Sequence, residues 1–286
     1  MPNLTIQMFG DFAIQSEENR ISDSDNRTRK VWQLLAFLLC HKDRIVPRKE
    51  LINILWGEDS ASSNPENALK TTFHRARNLL NTLWPMAGHQ LILFQDSGYT
   101  WNREIPISLD TKQFETICCK EHSSTQDQPA DQRLNALLYA ISLYRGDFLN
   151  NLSSETWIIP IAAYFHNLYI NAVLEAVALL LKQKRFSESA AVCRAALTFE
   201  PYNEALCKYL MESLLQQGNP QGAGKHRWNA QEEKRCRISS RQPKRFGIQH
   251  GCIMGDNKGI GQAEGSCQDH PKGNGKEQRC SCQDRS

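Results

Sequence analysis

The sequence predicts an α+β domain, then an all-α domain, and then a tail without regular structure. Short alternating apolar runs and a hairpin signal lie in the first part of the chain, whereas helical periodicity dominates from about residue 109. Beyond residue 222 no periodicity is sustained, and 9 of the 16 glycines lie there. The predicted boundaries are therefore 1–106 for the first domain, 107–222 for the second and 223–286 for the tail.

The chain opens with short strands. Apolar residues occupy every second position from 4 to 8, which is the period of a strand with one buried face. Gly10 and Asp11 indicate a turn before a second strand at residues 12–14, and a third short strand is expected near Ile21.

Two helices follow these strands. A single apolar stripe from Val31 to Leu39 predicts the first helix over residues 29–41. Val46 and Pro47 open the second helix, because proline is tolerated in a first helical turn, and Gly57 ends it as a C-cap.

The third helix has two alternative starts. Either Asn64 caps it with Pro65 at its first position, or Ser63 and Glu66 form a capping box. Its core-facing residues recur at spacings of four and three up to a close at Trp84-Pro85, and they are Leu69, Phe73, Ala76, Leu80 and Leu83.

A hairpin completes the first domain. Its strands are expected at residues 91–94 and 99–101, with Gly98 at the turn between them. Strands, three helices and a hairpin in this order are the arrangement of a winged helix-turn-helix domain.

The second domain is predicted to be helical, with candidate helices at residues 111–121, 131–144, 160–182, 187–199 and 203–217. A shift of 34 residues places Leu180 on Leu214 and Gln183 on Gln217, and this period is that of tetratricopeptide repeats. A plain helical bundle is the alternative, because leucine-rich helices match in many registers.

The repeat breaks where its next helix should stand. Residues 221–230 have no apolar face, and the tail that follows cannot bury enough surface to offset its ordering entropy. We therefore expect residues 223–286 to be a disordered basic tail. One hypothesis is that this tail is translated out of frame.

Net charge gives no support for nucleic-acid binding by the first domain. Residues 1–108 carry 12 Lys and Arg against 12 Asp and Glu, whereas residues 223–286 carry 13 against 7. The formal charge of +3 thus comes from the tail, which could itself be the nucleic-acid binder.

No motif of a catalytic, cofactor or metal site is present in readable form. The ten cysteines include no C-x-x-C pair, and the Gly-Lys segments ending at Lys225 and Lys276 lack the rest of a phosphate-binding loop. The start of the chain has no export signal, and no apolar run reaches the length of a membrane span. We expect a cytoplasmic protein that is not an enzyme, with no cofactor, no metal and no membrane partner.

The third helix carries the candidate DNA-reading residues over positions 67–80. The face opposite its apolar stripe presents a polar and basic set, namely Lys70, Thr71, His74, Arg77 and Asn78. A helix fits the major groove, and Arg, Lys and Asn match the edges of guanine and adenine there. Arg75 lies on the flank, where it could instead anchor the helix to an acidic residue of the domain.

Further contacts are expected from the hairpin and from the helix starts. The hairpin offers Gln95, Ser97, Thr100 and Arg103, and the starts of the first two helices offer Arg29, Lys30, Arg48 and Lys49. Contacts to phosphate would position the protein without reading bases. The alternative function is a helical-repeat adaptor whose winged helix binds protein.

Several segments resemble a known family. Residues 29–39, 46–51 and 55–56 resemble the OmpR-type winged helix of antibiotic-regulator (SARP-like) activators. Residues 74–77 stand where that family often has Arg-Leu-Arg, with Ala76 in place of the usual leucine, and Gly98-Tyr99 matches its wing.

The second domain resembles the bacterial transcriptional activation domain of the same family at residues 109–114, 144–149, 157 and 200–204. The resemblance implies binding to double-stranded promoter DNA, homodimers on direct repeats and recruitment of RNA polymerase. The last helices that this domain has in the family are missing here.

Overall fold

A computed structural model describes residues 3–25, 28–57, 64–119 and 130–218. Its strands are β1 (Leu4–Gln7), β2 (Ala13–Gln15), β3 (Arg20–Ser22), β4 (Val46–Pro47), β5 (Ile92–Gln95), β6 (Gly98–Trp101) and β7 (Ile107–Leu109). Its helices are α1 (Arg29–Cys40), α2 (Arg48–Trp56), α3 (Pro65–Leu80), α4 (Ala87–Leu91), α5 (Asp110–Cys118), α6 (Ala130–Leu143), α7 (Ile158–Lys182), α8 (Phe186–Ala196) and α9 (Glu204–Gln216). The predicted tail, residues 223–286, lies outside the described residues. The predicted order of an α+β winged helix and then a helical domain is confirmed.

The first sheet has the strand order β3-β2-β1-β7. β1 pairs antiparallel with β2, and it pairs parallel with β7 through the register Leu4 to Ile107. β7 was not predicted as a strand, because residues 107–109 are too short to show a period. The boundary predicted at residues 106 and 107 falls where β7 begins, and it stays a prediction.

Helix α1 is buried on all sides. Every residue from Val31 to Leu39 is buried, including Gln33, so the buried surface of α1 extends beyond the predicted apolar stripe. Trp32 packs edge-on against Phe12, with ring centroids 5.1 Å apart. On another side Phe37 meets Trp157, which belongs to the helical domain, at 5.2 Å. The helical domain therefore covers a side of α1 that lies outside the predicted apolar stripe.

The structure shows where α2 and α3 begin. Val46 and Pro47 form strand β4 against β6, so they precede α2 rather than forming its first turn. At α3 the side chain of Asn64 accepts a hydrogen bond from the Asn67 N–H at 3.0 Å, with Pro65 in the first turn. The structure thus has the Asn64 cap, while Ser63 lies outside the described residues.

The hairpin turn is shorter than expected, because β5 extends to Gln95 and β6 begins at Gly98. Asp96 and Ser97 have φ values of 44° and 67°, which is the left-handed pair of a two-residue hairpin turn. Gly98 is the first residue of β6, and a Cβ there would lie 2.6 Å from the Val46 carbonyl oxygen. Gly98 pairs with Gln95 and closes the turn, as predicted, and glycine is also needed there because β4 approaches the backbone closely.

The helical domain is built around α7, which contacts α5, α6, α8 and α9. By length and composition α7 could cross a membrane, and 39% of its most apolar window is buried inside the structure. Its buried residues include Phe165, Tyr169 and Val173, which form part of the main core. These contacts give α7 the place of a central core helix.

The two parts of the chain share a core at Phe9. Its ring lies 5.1 Å from that of Phe114, 5.0 Å from that of Tyr144 and 5.3 Å from that of Phe165. All three partners belong to the region predicted as the second domain. The backbone adds to this contact, because the Leu149 N–H donates to the Met8 carbonyl at 2.8 Å.

Asp110 fixes the same junction from the first turn of α5. Its carboxylate accepts hydrogen bonds from the N–H groups of Met8 at 2.9 Å and Phe9 at 3.1 Å. Burial raises the pKa of Asp110 from 3.8 to about 6, although these bonds and the nearby Arg145 oppose the shift. Folding therefore favours the protonated, neutral form of the Asp110 side chain.

This pKa predicts a pH dependence of stability. A raised native pKa stabilises the fold below the unfolded value, and that stabilisation is lost as pH rises through about 6. The shift corresponds to about 3 kcal/mol. Between pH 4 and 7 we expect the free energy of unfolding of wild type to fall by about that amount relative to Asp110→Asn. Urea titrations measure it, with the exposed Glu212→Gln as control, and a pH-independent difference between wild type and Asp110→Asn would disprove it.

Candidate nucleic-acid interface

Helix α3 is anchored by one face. Leu69, Thr72, Phe73, Ala76 and Leu80 are buried, as the spacing predicted, with Thr72 in addition. The Phe73 ring stacks on that of Tyr99 from β6, with centroids 3.6 Å apart. This stacking ties α3 to the hairpin and sets the angle between them.

The opposite face of α3 is exposed. Its exposed members are Asn67, Lys70, Thr71, His74, Arg75 and Asn78. Lys70 and Arg75 make no hydrogen bond or ion pair with any residue in the described part of the chain. The Thr71 hydroxyl donates to the Asn67 carbonyl at 3.0 Å, and the Asn78 amide lies 3.4 Å from His74 Nδ1. We call these six residues the reading face.

Arg77 does not lie on the reading face. It is half-buried, and its Nη2 donates to the Ile92 carbonyl of β5 at 3.2 Å. On its other side α4 approaches so closely that a Cβ on Gly88 would lie 2.4 Å from the Arg77 carbonyl oxygen. The predicted grouping of Arg77 with Lys70 and His74 is therefore wrong. The two arginines have exchanged the roles considered for them, because Arg75 is exposed and Arg77 is the anchor.

The hairpin exposes three of the four residues predicted for it. Gln95 and Ser97 are exposed beside and at the turn. Thr100 is buried, with its hydroxyl donating to the Trp101 carbonyl at 3.3 Å, because β6 is the central strand of the sheet β4-β6-β5. Arg103 is exposed, but its Nε donates to the Lys42 carbonyl at 3.0 Å, which holds it at the turn after α1. The contact predicted for Thr100 is thus not available.

The hairpin adds Phe94, which was not predicted from the sequence, to the predicted Arg48 at the start of α2. The Arg48 guanidinium carbon lies 4.7 Å from the centroid of the Phe94 ring, a cation–π arrangement, and Phe94 is 48% exposed on the hairpin. Lys49 is exposed beside it. Because residues 91–94 are all apolar, the sequence gives no signal for which of them points outward.

The two basic residues at the start of α1 are engaged elsewhere. Arg29 forms an ion pair with Glu155 at 2.9 Å, and Lys30 donates to the Leu55 carbonyl. Gln33 joins the same group, donating to Glu155 at 2.7 Å and to the Ile54 carbonyl at 2.8 Å. These residues connect the helical domain to the first helices, and the phosphate contacts expected of Arg29 and Lys30 stay predictions.

The reading face is a convex surface rather than a pocket. The cavity beside it, lined by residues that include Arg48, Glu66 and Lys70, has a volume of about 10 Å³, which holds one water molecule at most. Among the described residues no group of three or more His, Cys, Asp or Glu side chains could hold a metal ion. The geometry therefore suits a large partner that meets the face from outside.

Two family models match the chain in sequence. Residues 25–101 match the model described as transcriptional regulatory protein, C terminal. Residues 109–225 match the bacterial transcriptional activator domain. Comparison with curated proteins finds no match.

The fold has a solved relative. The structure is similar to one described as Mycobacterium tuberculosis EmbR in complex with low affinity phosphopeptide, with a TM-score of 0.63 at 18% sequence identity. The match covers 88% of this chain and 63% of that chain, so this chain spans less than two thirds of the relative's length. At this identity the likeness shows the fold alone.

Proposed function

This chain has the domain composition of the SARP-like transcriptional regulators, an OmpR-type winged helix followed by a bacterial transcriptional activator domain, and we propose that it is a sequence-specific activator that binds promoter DNA. In this proposal α3 lies in the major groove and the hairpin at 91–102 contacts the adjacent backbone. The observation that supports it is the reading face, where Lys70 and Arg75 have no partner within the described chain.

The dimensions of α3 suit the groove. Sixteen residues give a helix of about 24 Å at 1.5 Å per residue, and the major groove of about 12 Å width admits one helix. The exposed residues recur every three or four positions, so they form one stripe along the helix. A stripe of this kind can contact the edges of neighbouring bases in the major groove.

Two cations at the start of α2 suit phosphate contacts beside α3. Lys49 and Arg48 lie at the start of α2, and Phe94 holds the Arg48 guanidinium in place. We propose that Arg48, Lys49 and Ser97 contact phosphates while Lys70, Thr71, His74, Arg75 and Asn78 face the bases. Arg103 is proposed as a more distant phosphate contact.

The helical domain would supply the partner contacts of an activator. We propose that residues 107–222 contact RNA polymerase, and that two copies bind direct repeats of the operator in the cytoplasm of a bacterium. These proposals come from the family composition, since such regulators act on transcription at promoters.

A salt series tests whether the chain binds DNA through these cations. The three proposed cationic phosphate contacts, Arg48, Lys49 and Arg103, give a slope of log K against log salt of about −2.7, so binding to random duplex DNA should weaken about 40-fold between 50 and 200 mM salt. Fluorescence anisotropy with the full chain measures this slope.

The matched variant is Arg48→Gln/Lys49→Gln, which removes two of the proposed phosphate contacts and should make the slope shallower by about two contacts. A flat response in wild type would contradict DNA binding and favour the adaptor function. A steep slope that the double variant leaves unchanged would instead assign binding to the basic tail at 223–286.

A further inference from the structure

The outer face of the first sheet forms a cleft with helix α6. The cleft has a volume of about 330 Å³ and is lined by residues of β1, β2, β3, β7, α5 and α6. This volume lies within the range of small-molecule sites, roughly 300–1,000 Å³. It is separate from the reading face, because none of its lining residues belongs to α2, α3 or the hairpin. We call it the sheet cleft.

The floor of the sheet cleft is a polar row that crosses all four strands. The strand register places Ser108 beside Thr5, Thr5 beside Gln15 and Gln15 beside Arg20. The row therefore runs from a hydroxyl through a second hydroxyl and an amide to a guanidinium. Every member of the row can donate a hydrogen bond to an oxygen-rich ligand.

The depth of the sheet cleft comes from a small residue in the next row. Ala13 pairs with Gln7 in the register, lines the cavity, and is only 2% exposed. An outward-facing sheet residue is buried here because other side chains stand around it. A flat, solvated sheet face would leave this alanine open to water, so the surface is concave.

The wall on the helical side is held by a chain of hydrogen bonds. The Tyr139 hydroxyl donates to Gln113 Oε1 at 2.9 Å, and Gln113 Nε2 donates to Ser108 Oγ at 2.7 Å. The Tyr139 ring remains 51% exposed above the floor. These bonds fix the orientation of groups that would meet a ligand, and they lower the entropy lost on binding.

The charge of the sheet cleft is positive. Arg20 is exposed and has no hydrogen bond or ion pair with any described residue, and Arg145 makes a single side-chain bond, from Nη1 to Gln7 Oε1 at 2.5 Å. The carboxylate in the lining, Asp110, has both oxygens occupied by the N–H groups of Met8 and Phe9. The cleft is thus lined by two guanidinium groups, Arg20 and Arg145, and by one carboxylate whose oxygens already accept backbone hydrogen bonds.

We propose that the sheet cleft binds a small polyhydroxylated anion, with its phosphate or carboxylate on Arg20 and Arg145 and its hydroxyls on the polar row. Guanidinium groups bind both kinds of anion with charge-assisted hydrogen bonds. The cleft joins strands of the first sheet to α5 and α6, so a bound ligand would brace the two parts of the chain against each other.

Isothermal titration calorimetry of the full chain tests this proposal with glucose 6-phosphate, gluconate and glucose as probes. We expect at least one of the two anions to bind with a Kd of about 1 mM or tighter. Neutral glucose should bind at least about tenfold more weakly than that anion. Which anion binds identifies the charged group that the site takes.

Two variants assign the binding to the sheet cleft. Arg20→Gln and Arg145→Gln should each weaken binding at least about tenfold, while Arg194→Gln, an exposed arginine of α8, leaves it unchanged. Because the Arg20 side chain bonds to no described residue, we expect Arg20→Gln to fold normally, and a change in its Kd then reports on the ligand contact. Absence of anion binding up to about 10 mM, equal binding of glucose, or an unchanged Kd in Arg20→Gln would overturn the proposal.

Discussion

Replacing Phe9 by alanine should lower the free energy of unfolding by about 3–5 kcal/mol. Phe9 is fully buried, and its ring contacts Phe114, Tyr144 and Phe165. The substitution leaves a cavity at the point where the first strand meets the helical domain. Because both parts contribute to this core, we expect one cooperative transition that shifts as a whole.

Chemical denaturation with two probes measures this effect. Tryptophan fluorescence reports mainly on the first part of the chain, which carries four of the six tryptophans, including the buried Trp32 and Trp101, and far-UV circular dichroism is dominated by the helices. Phe94→Ala, at an exposed phenylalanine of the hairpin, is the matched control and should cost less than about 1 kcal/mol. A Phe9→Ala chain whose two probes unfold at different denaturant concentrations would contradict the shared core.

Much of the winged helix could be predicted from sequence because its signals are local. The spacing of Leu69, Phe73 and Ala76 places the buried face of α3, and the Asn64-Pro65 pair marks its start. Both features depend only on neighbours along the chain. The exposed members of the reading face follow from the same helical period.

What could not be predicted depends on contacts distant in sequence. Strand β7 exists because it pairs with β1, about 100 residues away, and Gly98 is required by the approach of Val46. The burial of all sides of α1 needs Trp157 and the rest of the helical domain. No local pattern carries this information.

Arg75 and Arg77 show the same limit within the candidate site. Both are arginines, and they lie two positions apart on one helix. A hydrogen bond to the Ile92 carbonyl removes Arg77 from the surface, and nothing among the described residues does this to Arg75. The position of β5 therefore decides that Arg77 anchors the helix and that Arg75 stays exposed.

This difference gives the second prediction. Lys70→Ala and Arg75→Ala should each weaken binding to a specific operator by about 1–3 kcal/mol, which is about 5- to 150-fold, with the free energy of unfolding unchanged. Arg77→Ala should instead lower the free energy of unfolding by about 1.5–3 kcal/mol, because it removes a half-buried charged donor from a carbonyl. Urea denaturation of the three variants checks the stability half of this prediction.

The measurement that tests the central claim most directly is the affinity of Arg75→Ala for a duplex selected by the full chain from a randomised DNA pool. Arg194→Ala, at an exposed arginine of the helical domain, is the matched control. If α3 reads bases, Arg75→Ala binds the selected duplex at least about fivefold more weakly than Arg194→Ala, and its preference for that duplex over random DNA falls. Equal affinities and equal preferences of the two variants would contradict the assignment of α3 as the DNA-reading helix.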